Sequence, residues 1–154
     1  MNYKTGINNK VLFVDDEELV LEKIDTKLED EEFEVYFANS GQKALEIIEN
    51  KKPAVIVIDL NMEEFSGIEL IKIINQDYPN IIKIIFSVYR DSNIILKTYK
   101  YNIYQYIPKK RINKKYGYEL EVVPVLKNAL KLYNLRREKD YLKAIIDEKK
   151  LSQN

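Results

Sequence analysis

The chain has no cysteine and no histidine. Without thiols, neither a disulfide framework nor a thiolate metal site is possible. Without imidazole, any chemistry that needs one must take it from another molecule. Carboxylates, hydroxyls and amines are left to carry whatever chemistry there is. No apolar run approaches the roughly 20 residues of a membrane-spanning helix. Met1 to Lys10 also lacks the apolar core of a secretory signal. A cytoplasmic protein without membrane contact is the expectation. Internal repeats and low-complexity tracts are missing as well, which sets solenoids and linker-like chains aside.

What is present is one domain's worth of chain. Its 154 residues suffice to bury about 70% of the surface the unfolded chain would expose. The formal net charge of zero hides an asymmetry. Residues 1–77 hold 8 Lys/Arg against 18 Asp/Glu, and residues 78–154 hold 17 against 7. Solvated helix faces that balance one another would produce this pattern. So would an acidic site built by the first half and a partner surface built by the second.

Apolar runs alternate with helical periodicity along the whole chain. "KVLFVDD" (10–16) reads as a buried strand, and the next segment sets Val20, Ile24 and Leu28 on one helical face. "FEVYFA" (33–38) is a second strand. "SGQKALEIIEN" follows as a helix capped by Asn39 or Ser40, with Leu45 and Ile48 among its buried residues. Pro53 separates it from a third strand, "AVIVID". After a loop at 60–66, "GIELIKIINQD" repeats Ile68, Ile71 and Ile74 at helical spacing and stops at Tyr78-Pro79. "IIKIIFS" (81–87) is strand four, "DSNIILKTYKYN" a shorter helix, and "IYQYIP" (103–108) strand five. A long last helix begins near Glu119, with Pro124 tolerable only in its first turn or as a kink. Five such units with nearly continuous apolar strands predict an α/β fold: a doubly wound parallel sheet covered by helices on both faces.

In a parallel sheet the strand C-termini share one edge, where ligands bind in open α/β folds. Strands one, three and four end at Asp15-Asp16, Asp59 and Ser87. Asp59 follows four buried branched residues, and a carboxylate avoids such surroundings unless something compensates it. Three converging carboxylates repel one another and raise their pKa values unless a cation joins them. Mg²⁺ suits such a site, since it takes one or two carboxylates, waters and phosphate oxygens. A carboxylate can also attack phosphorus to give an acyl phosphate. The amine that would hold phosphoryl oxygens is Lys109, or Lys110 if the register slips by one.

Four stretches in this order and spacing resemble the receiver domain of two-component response regulators, over Lys10 to about Leu130. "VLFVDDEE" looks like the family's paired acids, "VIVIDLNMEEFSGIEL" like its phosphoacceptor strand and loop, "IIKIIFS" like the strand ending in the switch hydroxyl, and "YQYIPK" like the segment with the switch aromatic and lysine. The resemblance implies a flavodoxin-like strand order 2-1-3-4-5. It makes Asp59 the acceptor of a phosphoryl group from a histidine kinase or phosphotransfer protein. Asp16 would bind Mg²⁺ directly, Asp15 through water or as a close second ligand, and Asn61 through its backbone carbonyl. Ser87 and Lys109 would hold phosphoryl oxygens, and Tyr106 would repack when Ser87 moves. The chain would be a phosphoacceptor and not a turnover enzyme. It departs from the family at Glu63, Val88 and Lys110. These departures suit an alternative reading, a receiver-like interaction domain that signals without phosphate. A Mg²⁺-dependent aspartate-nucleophile phosphohydrolase fits less well, because Asn61 stands where such enzymes carry a second Asp.

The expected organisation is an N-terminal extension (1–9), a receiver domain (10–134) and a helical tail or linker (135–154). In the tail, Leu135, Leu142 and Ile145/Ile146 form a thin apolar stripe that could pair in a dimer, lead into an output domain or simply stay solvated. No helix-turn-helix pattern supports nucleic-acid binding. Tyr99, Tyr101, Tyr104 and Tyr106 fall within eight residues. Strand alternation would set Tyr104 and Tyr106 on one side of the sheet. The fourth helix, fifth strand and last helix are therefore the expected interaction face, in a homodimer or toward an output partner, with Tyr101 and Tyr104 as anchors framed by Lys97, Lys100 and the basic run at 109–115.

Overall fold

The computed structural model describes residues 6–88, 92–109 and 117–152. Five strands, β1 (Lys10–Val14), β2 (Glu34–Ala38), β3 (Val55–Ile58), β4 (Ile82–Ser87) and β5 (Ile103–Pro108), alternate with helices α1 (Glu18–Leu28), α2 (Gly41–Lys51), α3 (Gly67–Asp77), α4 (Ser92–Tyr99) and α5 (Gly117–Leu151). All pairings are parallel, and the sheet order is β2-β1-β3-β4-β5. This is the doubly wound, flavodoxin-like receiver fold.

The helices begin where the sequence offers a cap. Ser40, not Asn39, caps α2: its Oγ accepts from Lys43 N at 3.2 Å. Ser66 and Glu69 close a capping box on α3, with Glu69 N donating to Ser66 Oγ at 3.2 Å and Ser66 N donating to Glu69 Oε2 at 3.1 Å. Each such cap satisfies N–H groups that the first helical turn leaves without partners, and contributes about 1 kcal/mol.

Two apolar layers flank the sheet. On one face Val11, Phe13, Val57, Ile84 and Phe86 meet Ile24 and Leu28 of α1 and Val122, Leu126 and Ala129 of α5. On the other, Leu12, Val14, Ile56, Ile58 and Ile85 meet Ala44 and Ile48 of α2 and Leu70, Ile71 and Ile74 of α3. Every residue of β3 and β4 is buried, which is why β3 reads as an unbroken apolar run and β4 as one interrupted only by Lys83 before its terminal Ser87. Val20, Leu45 and Ile68 are half-buried flanks, and Leu21, Ala44 and Leu70 take the buried positions beside them. α5 continues without a break through residues 134 and 135, and Leu135, Leu142 and Ile146 are exposed along its outer part.

The expected alternation of Tyr104 with Tyr106 does not hold. Lys83 pairs with Ile103 and Ile84 with Gln105, so the register shifts by one residue at this point. Tyr104 is the inserted residue. Ile103 and Tyr106, three apart, both pack against the second core layer. A bulge of this kind adds one residue to a strand and interrupts its period of two. Tyr104 is 38% exposed and Tyr101 is half-buried with its ring on the same core layer, so Tyr104 is the freer of the two expected anchors. Of the basic frame, Lys97 and Lys100 are exposed on and after α4, and residues 110–115 lie outside those described. Among the described residues no helix is long and apolar enough to cross a membrane.

Candidate functional site

The register of the sheet brings the acids together. Val14 of β1 pairs with Ile58 of β3, so Asp15 and Asp59 are each the first residue past a pair of neighbouring strands. Both are still held by the ladder: Asp59 N donates to Val14 O at 2.9 Å and Asp15 N to Ala38 O at 3.0 Å. Each is 2% exposed. Two carboxylates in so dry a place need positive charge, and Lys109 supplies it.

Lys109 leaves the end of β5, passes β4 and sets its Nζ 2.7 Å from Asp59 Oδ2 on β3 and 2.7 Å from Asp15 Oδ2 on β1. The contact with Asp59 is a hydrogen bond. Toward Asp15 the ammonium makes a 2.7 Å ion pair, and apart from it Asp15 Oδ2 is a buried oxygen without a hydrogen-bond donor among the described residues. Burial raises the pKa of Asp15, the Lys109 ammonium and the Glu17 N–H oppose that rise, and the charge of Asp59 adds to it. Burial acts to lower the pKa of Lys109, but its two carboxylate partners outweigh this and the net shift is upward.

The other residues expected at the site ring this triad. Asn61 is exposed, and its N–H donates to Asp59 Oδ1 at 3.1 Å. Asp16 is half-buried and accepts from Glu63 N at 3.1 Å, which ties the loop after β3 to the end of β1. Ser87 ends β4 fully buried. Its carbonyl accepts from the Tyr106 hydroxyl at 3.1 Å, so the strand end and the aromatic of β5 are directly bonded. Between the two lysines left open by the sequence, Lys109 makes the contact, and Lys110 lies outside the described residues. Val88 is 45% exposed just beyond Ser87.

Two residues had escaped the sequence reading. Glu17 Oε1 lies 3.7 Å from Lys109 Nζ, and one carboxylate oxygen each from Asp15, Glu17 and Asp59 falls within 4.8 Å of the others. The run of acids after β1 carried that signal, but a helix N-terminus normally spends such a residue on capping. Gly67 is the second. A Cβ there would sit 2.1 Å from the carbonyl oxygen of Asp59 and 2.7 Å from Leu60 Cα, so only glycine lets α3 begin against the end of β3.

The donor set suits a hard divalent cation: among the described residues carboxylate oxygens of Asp15, Glu17 and Asp59 converge, one buried oxygen lacks a hydrogen-bond donor, and the chain has no histidine or cysteine to offer as a ligand. A polar pocket of about 430 Å³ adjoins the cluster, lined in part by Asp16, Glu17, Asn61 and Glu63.

Comparison with known proteins bears on the family and the fold. Residues 11–119 match the response regulator receiver domain family. The Response regulator protein VraR of Staphylococcus saprophyticus is 29% identical over 149 residues, covering 85% of this chain and 71% of that protein. The Hydrogenase transcriptional regulatory protein HoxA of Cupriavidus necator is 36% identical over 100 residues, covering 64% of this chain and 20% of its own length. The chain thus spans only a minor part of some relatives. Among solved structures, a CheY-like receiver domain protein from Methanospirillum hungatei superposes with TM-score 0.72 at 22% identity, covering 84% of this chain and 98% of that one. The response regulator TrrA of Thermotoga maritima, solved in complex with Mg²⁺-BeF, superposes with TM-score 0.64 at 23% identity, covering 77% and 98%. At these identities the structures speak for the fold.

Proposed function

This chain belongs to the response regulator receiver domain family, and on that premise we propose that Asp59 accepts a phosphoryl group from the phosphohistidine of a sensor histidine kinase or phosphotransfer protein. The observation that carries the reading is the buried Lys109 ammonium 2.7 Å from both Asp59 Oδ2 and Asp15 Oδ2 at the C-terminal edge of the sheet. In the transfer, an Asp59 oxygen bonds to phosphorus as the phosphorus–nitrogen bond of the donor breaks, and the imidazole leaves with a proton from solvent. The missing histidine of this chain is then supplied by its partner.

Each residue has a definable task. The Asn61 N–H holds Asp59 Oδ1 and so orients the carboxylate. Lys109 shifts from the Asp59 carboxylate to a phosphoryl oxygen, keeping its charge on the group that has become more negative. Ser87 offers its hydroxyl to a second phosphoryl oxygen. Mg²⁺ held by Asp15, Asp16, Asp59 and the Asn61 carbonyl, with Glu17 at the rim, would neutralise charge on the transferring group. Movement of Ser87 toward the phosphoryl group pulls on the Tyr106 hydroxyl bonded to its carbonyl. The face made by α4, β5 and α5 would thereby change its contacts with a second copy or an output partner. The chain is read as a switch and not as a turnover enzyme.

Incubation with acetyl phosphate, followed on gels that retard phosphoproteins, tests this. A retarded band is expected for wild type with Mg²⁺, and none with chelator or for Asp59→Asn. The tie between Asp16 Oδ2 and Glu63 N favours a second reading, a receiver fold that signals with its loop already fixed. A wild type that stays unmodified while still binding its partner would select that reading.

A further inference from the structure

At the opposite end of the sheet from Asp59, β4 carries a lysine inside its apolar run. Lys83 is 2% exposed, as deeply buried as the residues of the core. Lysine is almost never buried so completely unless it is paired. Yet no ion pair or hydrogen bond of its Nζ is found among the described residues, and the nitrogen itself reaches solvent in the cavity beside it. It lines a cavity of about 430 Å³ together with Arg136 of α5, Asn102 and Tyr104. None of the described residues around this cavity is acidic, although the chain has 25 Asp and Glu. Burial and the neighbouring Arg136 charge both lower the pKa of Lys83.

Two cations and two further side-chain donors therefore face one cavity with no anion to meet them. The β4–β5 register shift helps to make this arrangement: it lies between Lys83 and Ile84 and inserts Tyr104 at the cavity wall. The chemical complement of a lysine and an arginine together is a dianion, because a monoanion would neutralise only one of them. Arginine's fork and lysine's point charge are the pair that phosphate oxygens commonly meet. We propose that this cavity is a binding site for a phosphate dianion, free or carried on a small molecule, held between Lys83 and Arg136. Binding there would compensate the buried lysine and fasten α5 to the edge of the sheet. It is independent of phosphoryl chemistry at Asp59.

Inorganic phosphate is the probe, titrated into the full chain without Mg²⁺ while backbone amide signals are followed by NMR. Saturable shifts are expected at Lys83, Asn102, Ile103 and Tyr104, with acetate binding at least about tenfold more weakly. Losing one charged hydrogen bond to the anion weakens binding about tenfold or more, so Arg136→Gln, an exposed change, should show that loss. Lys83→Met, which keeps the side-chain length, should abolish the shifts. Shifts that do not saturate, or an affinity unchanged in Arg136→Gln, would overturn the proposal. Equal binding of acetate would overturn the requirement for a dianion.

Discussion

Gly67 lies so close to Asp59 that a Cβ on it would meet the Asp59 carbonyl oxygen at 2.1 Å. The helix that follows the loop after β3 is thus docked on the backbone of Asp59 itself. Gly67→Ala must push α3 away or bend the end of β3, a backbone strain that costs on the order of 2 kcal/mol or more. Chemical denaturation should show that loss. The same variant should take up phosphoryl groups more slowly, because Asp59 moves with its carbonyl.

Under the proposed function a divalent cation would compete with Lys109 for the same two carboxylates. Lys109→Met leaves Asp15 and Asp59 buried without their counter-charge, and breaking a buried pair this way costs about 3 kcal/mol at neutral pH. Mg²⁺ should restore a large part of that stability and bind the variant more tightly than wild type. Calorimetric titration checks the order of affinities, and weaker binding to the variant would mean that Lys109 does not occupy the cation's place.

Lys83 gives a pH dependence whose sign is set by its lowered pKa. In the folded protein it loses its proton below the 10.5 of an ordinary lysine, while the unfolded chain keeps the proton up to 10.5. Between those two values the unfolded state binds more protons, so stability rises as pH rises through that window. Below the window the charged lysine costs stability in full, and Arg136 remains charged throughout. In phosphate-free buffer Lys83→Met should therefore melt a few degrees higher than wild type at pH 7. The gap should narrow as pH approaches 10.5, and a constant gap would mean that the charge on Lys83 is not its source.

The segment before β1 is fastened to α5 by the Asn134 amide and by Arg137, whose guanidinium donates to Gly6 O at 3.4 Å. Asn134 Oδ1 accepts from Asn8 N and its Nδ2 donates to Asn8 O, both at 2.9 Å. Asn134→Ala should cost about 1 kcal/mol, and hydrogen exchange should speed up at Asn8 while β1 and β3 stay protected.

The strands and the acid edge were legible because their signals are local. Four buried branched residues followed by Asp59, or Val14 followed by Asp15, state a strand and its end within a few positions. The N-cap of α2 was legible to one residue, since Asn39 and Ser40 can both cap and only the backbone decides. What stayed hidden depends on partners distant in the chain. The bulge at Tyr104 is a property of the pairing between β4 and β5, so no reading of "IYQYIP" alone could break the alternation. The burial of Lys83 is hidden for the same reason: its cavity is closed by Asn102, Tyr104 and Arg136. Glu17 joins the acid cluster across the end of the sheet, where Lys109 arrives from β5.

Asp59 is the proposed phosphoacceptor. Peptide mass spectrometry after treatment with acetyl phosphate and Mg²⁺ addresses it most directly, on wild type and Asp59→Asn in parallel. The expected result is one phosphorylated peptide in wild type, with the modification on Asp59, and no modified peptide in Asp59→Asn. A phosphoryl group found on Asp15, Asp16 or Glu17, or an equal yield from Asp59→Asn, would contradict it.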